Sequence, residues 1–312
     1  MDHNEIIRRK LGRHYPFQSR YLDRNGLRYH YLDEGAGDPV IMVHGNPTWS
    51  FYYRRLVMGL SPNRRTIVPD HMGCGLSDRP DDRRYAFTLE SRIDDLEALV
   101  DHLGLTQGIT LVVHDWGGAI GVGLAARRPQ AVARLVILNT AAFLPPAGKR
   151  IPLTLWLVRN VRFLAEPLVL GLNAFARGAL YMASHKGLSR EARAGLIAPY
   201  DSPKNRLATL RFVQDIPLRP GDPSYGEIKA IQGRLHLLEK IPTLICWGRH
   251  DFVFDRDYLN EWRRRFPRAE VHEFPNAGHY VLEDEPEAIL GLTRDFLARH
   301  PLEPPTAEAP RP

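Results

Sequence analysis

Six short apolar runs, separated by stretches of helical spacing, limit what this 312-residue chain can fold into more than any other feature of it. They occupy residues 39–43, 66–69, 109–113, 135–138 and 243–247, with a more mixed run at 270–274. A strand that reads as a continuous apolar run is covered on both faces, as in a parallel sheet. Between the runs, residues 89–103 carry apolar side chains at 89, 93, 96, 99, 100 and 103, and 117–127, 258–266 and 288–297 have similar helical spacing. Such alternation predicts a doubly wound, mostly parallel α/β sheet. Ahead of it, residues 21–33 alternate polar and apolar around Asn25-Gly26, a strong hairpin signal that places two antiparallel strands at the start.

From 141 to 240 the alternation stops. Helix-like segments such as 153–172 and 205–212 occur there without a convincing strand, which predicts a helical cap inserted between core segments 15–140 and 241–299. The last residues, HPLEPPTAEAPRP, hold five prolines and predict a disordered tail over 300–312.

Composition excludes several classes. With 44% hydrophobic and 25% charged residues, the chain has ordinary globular usage. No apolar run approaches the ~18 residues of a membrane span, because His114 and Asp115, Arg134 and Asn139, and Arg159 and Arg162 interrupt the best candidates. The N-terminal MDHNEIIRRKLGRHY has no apolar stretch after its basic residues, so a cytoplasmic protein is expected. The two cysteines, Cys74 and Cys246, suit a reducing compartment. The net charge of +6 arises from arginines in separate segments without interleaved aromatics, so no nucleic-acid partner is expected.

The run Ile109-Thr-Leu-Val-Val-His-Asp-Trp-Gly-Gly118 reads as strand, sharp turn and helix start. This is the pattern of a nucleophile elbow, with Asp115 where serine is usual, Val113 in place of the first glycine, and Gly117 behind the turn. For an isolated aspartate there, capping the helix would be the commoner role. Two further groups follow in the chain order nucleophile, acid, histidine: Asp251 in WGRHDFVFD and His279 in NAGHYVLED, each just after a strand. Asp255 and Asp257 compete with Asp251 by type but lie farther from the strand end. After the third strand, HGNPTW offers the backbone N–H of Asn46 as one oxyanion donor, with Trp116 supplying the other. GVGLAA at 121–126 matches a dinucleotide pattern, but its glycines fall inside the helix, so no nucleotide cofactor is expected. His114 and His250 lack a third spaced ligand, so no metal is expected either.

Through HGNPTWSFYYR, PDHMGCGLSD, VVHDWGG, WGRHDFVFD and AGHYVLED, the chain resembles the α/β-hydrolase superfamily and, within it, the haloalkane dehalogenases over about residues 15–299. It is most similar to their third subfamily, which overlaps the β-lactone decarboxylases of bacterial long-chain olefin biosynthesis. The cap segments NAFARGA, APYDSPKNR and FVQDIPL resemble the latter. The resemblance implies an α/β-hydrolase fold with a helical cap, Asp115 as nucleophile, His279 as base and Asp251 as acid. Asn46 and Trp116 are implied as the halide-stabilising pair. Another subfamily carries its acid as a glutamate after the sixth strand, where this chain has Leu138-Asn-Thr-Ala141.

A carboxylate nucleophile suits attack on saturated carbon, because the product is an ordinary alkyl ester rather than a mixed anhydride. Three small hydrophobic substrates fit. The first is an alkyl halide hydrolysed to an alcohol, and the second a cis-β-lactone decarboxylated to a cis-alkene. The third is an epoxide, which would call on cap tyrosines such as Tyr181, Tyr200 and Tyr225. Phe143, Trp156, Phe175 and Phe212 suggest an apolar pocket for any of them. A slow hydrolase-fold receptor is the alternative outside catalysis.

Overall fold

The structure, a computed structural model, describes residues 3–302. Strands β1 (Arg20–Asp23), β2 (Arg28–Glu34), β3 (Pro39–Val43), β4 (Arg65–Pro69), β5 (Ile109–Asp115), β6 (Val132–Thr140), β7 (Thr243–Gly248) and β8 (Glu270–Phe274) form one sheet. Its order is β1-β2-β4-β3-β5-β6-β7-β8. The β1–β2 and β2–β4 pairs are antiparallel and every other pair is parallel. Asn25 and Gly26 both take positive φ, 56° and 76°, while Arg24 and Leu27 exchange backbone hydrogen bonds of 2.8 and 3.2 Å. That is the twist-matched two-residue turn the Asn-Gly pair favours.

Alternate residues of the central strands feed two separate apolar layers, Ile41, Val43, Leu111 and Val113 on one face, Val40, Met42 and Val112 on the other. Helices α1 (His3–Leu11) and α2 (Arg54–Leu60) cover the second face. Helices α3 (Leu89–His102) and α4 (Trp116–Arg127) cover the first. Helix α1 is an addition to the elements read from sequence. It carries only a few apolar residues, but it buries Ile7 and Leu11.

Between β6 and β7 the chain is helical: α5 (Leu153–Asn160), α6 (Arg162–Glu166), α7 (Ala174–Met182), α8 (Arg190–Ile197), α9 (Leu207–Gln214) and α10 (Tyr225–Arg234). The apolar stretch at 153–172 breaks into α5, α6 and a π-helical turn, Pro167–Gly171. Pro167 has no N–H and its ring crowds the preceding turn, so one continuous α-ladder cannot pass through it. Helix α11 (Arg256–Arg265) returns to the first face, and α12 (Val281–Asp284) with α13 (Pro286–Arg299) to the second. Beyond residue 302, the tail expected over 300–312 lies outside the described residues.

The Asp284 carboxylate accepts from Ser184 Oγ (2.6 Å), His185 N–H (2.9 Å), Lys186 N–H (3.0 Å) and Gly278 N–H (2.8 Å). Tyr280 N–H donates to the Ala183 carbonyl at 2.7 Å. Residues 183–186 of the inserted segment are thus stitched to the loop that carries His279.

The turn from β5 into α4 depends on close backbone approach. A methyl group on Gly117 would overlap the Val43 carbonyl, and one on Gly118 the Thr140 side chain. Gly117→Ala is expected to destabilise the fold by about 2 to 3 kcal/mol, seen as a melting temperature roughly 5 °C lower. Gly221→Ala, with open space around it, leaves the melting temperature unchanged.

Candidate active site

Asp115 ends β5 at φ 51° and ψ −128°, a backbone conformation that L-residues rarely adopt. The strain turns its carboxylate out of the sheet toward a cavity lined largely by the helical segment between β6 and β7. Thr140 Oγ1 donates to the Asp115 carbonyl, so the turn is pinned from β6. Gly45 lies so close that a methyl group there would strike the Asp115 carboxylate. Asn46 N–H donates to Asp115 Oδ1 at 2.6 Å. The backbone N–H of Trp116, first residue of α4, also favours the charged carboxylate.

His279 and Asp251 converge on the same spot from the loops after β8 and β7. His279 Nδ1–H donates to Asp251 Oδ2 at 2.8 Å, which leaves Nε2 free to accept, 3.6 Å from Asp115 Oδ2. Asp251 Oδ1 is occupied by the N–H groups of Val253 (2.7 Å) and Phe254 (3.0 Å), which fix the carboxylate. Its rivals are used elsewhere, since Asp255 and Asp257 both pair with Lys149. Asn139, at the glutamate position of the other subfamily, clamps β7 by accepting from Gly248 N–H (2.7 Å) and donating to the Gly248 carbonyl (3.0 Å).

Burial raises the Asp115 pKa, against the opposing pull of His279 and the two backbone N–H groups. Burial alone would lower that of His279, but the charge and hydrogen bond of Asp251, helped by Asp115, overcome it and raise the value above that of an ordinary imidazole.

The structure therefore brings Asp115, His279, Asp251, Asn46 and Trp116 together. One detail differs from the side-chain picture expected for Asn46: its Nδ2 donates to the Thr209 carbonyl of α9 at 3.0 Å, which leaves a single side-chain N–H for a ligand. The Trp116 indole N–H has no hydrogen-bond partner among the described residues, and the ring lines the cavity above Asp115. That cavity has a volume of about 410 Å³ and an almost wholly apolar wall. Phe143 and Phe175 contribute to it as expected. Trp156 instead faces outward, and Phe212 packs behind Trp116 with ring centroids 5.4 Å apart. Tyr181, Tyr200 and Tyr225 are absent from the wall; the tyrosines present are Tyr258 and Tyr280.

Several supporting groups escape sequence reading. His114 Nε2–H donates to the His279 carbonyl at 2.8 Å, and burial holds its pKa far below the usual range. Asp70 accepts from Ser50 N–H (2.6 Å) and Leu76 N–H (2.8 Å) and lies 2.8 Å from His30 Nδ1. His71 Nε2–H donates to the His44 carbonyl at 2.8 Å, so this network underpins the HGNPTW loop. Only the fold supplies the partner of each.

The chain matches the α/β hydrolase fold over residues 38–286. It belongs to the α/β-hydrolase family. Within that family, this hydrolase is 53% identical to the cis-3-alkyl-4-alkyloxetan-2-one decarboxylase of Shewanella oneidensis, over 90% of this chain and 89% of the relative. It is 46% identical to the enzyme of the same name from Xanthomonas campestris pv. campestris, over 92% and 98%. Haloalkane dehalogenase 2 of Mycobacterium tuberculosis is 31% identical over 88% of this chain and 93% of that one. Among solved structures, a haloalkane dehalogenase from Bradyrhizobium elkani superposes with a TM-score of 0.79 at 27% identity, covering 91% of this chain and 99% of that one.

Because Asp251 is the main group that lifts the His279 pKa, Asp251→Asn is expected to lower it, since burial is then opposed by Asp115 alone. NMR titration of the His279 ring tests this. An unchanged midpoint would mean that Asp251 does not control the imidazole.

Proposed function

We propose that this hydrolase decarboxylates cis-3,4-dialkyl β-lactones to cis-alkenes. A carboxylate at the elbow, facing an apolar cavity, is the observation that carries the reading, and the two oxetanone decarboxylases at 53% and 46% identity support the substrate class.

The Asp115 carboxylate attacks the ring carbon bearing oxygen, with inversion, and the C–O bond breaks to free a carboxylate. Ring strain drives this step. The leaving carboxylate accepts from the Trp116 indole N–H and the remaining Asn46 N–H, while the backbone N–H groups of Asn46 and Trp116 orient Asp115. The intermediate is an alkyl ester on Asp115 whose neighbouring carbon bears the new carboxylate. Cleavage of that carbon–carboxylate bond releases CO₂, its electron pair forms the C=C bond, and Asp115 departs as carboxylate. Inversion followed by anti elimination keeps both alkyl groups on one side. No proton or water is consumed. The proposed organisation is a core of 15–140 and 241–299 under a cap of 141–240, and the two free buried cysteines suit the cytoplasm we assign to it.

Alkyl halide hydrolysis is the second reading, supported by the dehalogenase relatives and by the unpartnered Trp116 N–H. Here halide leaves and water hydrolyses the ester. His279 takes the proton of that water and Asp251 stabilises the imidazolium. The raised His279 pKa predicts that ester hydrolysis falls as pH drops through a value above the ordinary ~6.5, because protonation removes the base.

The assay is direct: purified enzyme is given a synthetic cis-β-lactone or a bromoalkane, and alkene with CO₂ is measured against bromide. Asp115→Ala is expected to abolish both. His279→Gln is expected to retain alkene formation but to lose ester hydrolysis by ~10²- to 10⁴-fold, trapping a halide-derived adduct visible by intact mass. Loss of alkene formation in that folded variant would refute the water-free route. Trp116→Phe is expected to slow halide release ~10- to 1000-fold, more for chloride than for iodide. Equal losses would mean that the ring only packs.

A further inference from the structure

The chain's formal charge of +6 coincides with one stretch of its sequence, in which Lys149, Arg159 and Lys186 pair with acids from outside it. Residues 141–200 hold eight lysines and arginines against two glutamates, which accounts for the entire surplus; the other 34 basic and 34 acidic residues cancel. The same segment carries the largest concentration of exposed apolar side chains. In α5, Leu153 (71% exposed), Trp156 and Leu157 share one face at i, i+3 and i+4, followed by Phe163 (77%), Leu164, Leu168, Leu172 (64%), Tyr181 (72%) and Met182. An exposed apolar concentration of this kind marks a binding surface.

Two further observations select the partner. Leu157, Leu168 and Met182 are exposed and also line the cavity above Asp115, so the outer apolar face reaches the cavity wall through them. Arg150, Arg162 and Arg177 are exposed within the same stretch and form no ion pair among the described residues. Arg193 stacks on Tyr181, its guanidinium 4.7 Å from the ring centroid. Basic residues beside an aromatic and aliphatic face complement a surface that is anionic outside and hydrocarbon beneath. No single helix among the described residues is long and apolar enough to cross a membrane, and the one pair that qualifies together, Arg162–Gly171 with Ala174–Met182, is bent by 75°.

We propose that the outer face of the cap, from Leu153 to Met182, docks on an anionic phospholipid bilayer, with the cavity mouth opening into its acyl layer. Docking lets a water-insoluble substrate pass from hydrocarbon to the cavity along that apolar face. The proposal stands whether the substrate is a lactone or a halide.

Co-sedimentation of the full-length protein with vesicles of equal parts phosphatidylglycerol and phosphatidylcholine tests it, with phosphatidylcholine vesicles as comparison. Binding is expected on the anionic vesicles at low salt, weakening as salt rises and far weaker on the neutral ones, with a blue shift of tryptophan emission that Trp156→Phe removes. Replacing Phe163 and Leu172 together by aspartate should abolish it. Arg162→Gln and Arg177→Gln should each weaken binding about fivefold. All four side chains are exposed, so an unchanged melting temperature certifies the fold. Failure of the wild type to bind anionic vesicles, equal binding to neutral ones, or full binding by the double aspartate variant would overturn the proposal. So would a wild-type dimer that ignores vesicles and falls apart on Phe163→Asp, which would make the face a contact between copies of this chain.

Discussion

The strained backbone of Asp115 is the constraint on which the rest of the site is built. A residue at φ 51° between a strand and a helix holds that conformation only when its neighbours leave no alternative. Here β3 presses against Gly117 from one side, and Thr140 of β6 holds the Asp115 carbonyl from the other. Gly45 brings the Asn46 N–H against the carboxylate. Three parallel strands therefore fix one side chain, and the sheet order β3-β5-β6 is a requirement of the site as well as of the fold.

The electrostatics follow from that placement. Moving a carboxylate out of water and under an apolar cap raises its pKa, so the surroundings must hold it charged. Two backbone N–H groups and the imidazole oppose that rise in part. Asp251 in turn has one oxygen held by two backbone N–H groups and the other by His279 Nδ1–H. A carboxylate kept anionic by fixed dipoles loses little when a substrate displaces water, because the dipoles need not reorient.

What sequence discloses here is what is local. Asp115 is visible because strand, turn and helix start lie within ten residues, and Asp251 and His279 because each follows a strand directly. Thr140, Gly45 and His114 act through space on partners whose proximity depends on sheet order, so even the motifs that contain Gly45 and His114 do not name those partners. Phe143 and Phe175 line the cavity while Trp156 and Phe212 do not, although all four look alike in sequence. Periodicity says which side of a helix is apolar, not which neighbour covers it. The charge surplus of 141–200 escapes notice for a related reason, since its arginines are single and emerge only when a whole segment is summed.

Asp284 gives the helical segment between β6 and β7 an unequal grip on the rest of the chain. Its carboxylate ties residues 184–186 and Gly278 into one knot beside His279, whereas α5 and α6 carry mostly exposed side chains. The outer helices have anchors of their own, since Arg159 of α5 pairs with Asp222 and donates to the Ile216 carbonyl. The groups that hold the imidazole in place are therefore separate from those that shape the entrance, so the two can vary independently.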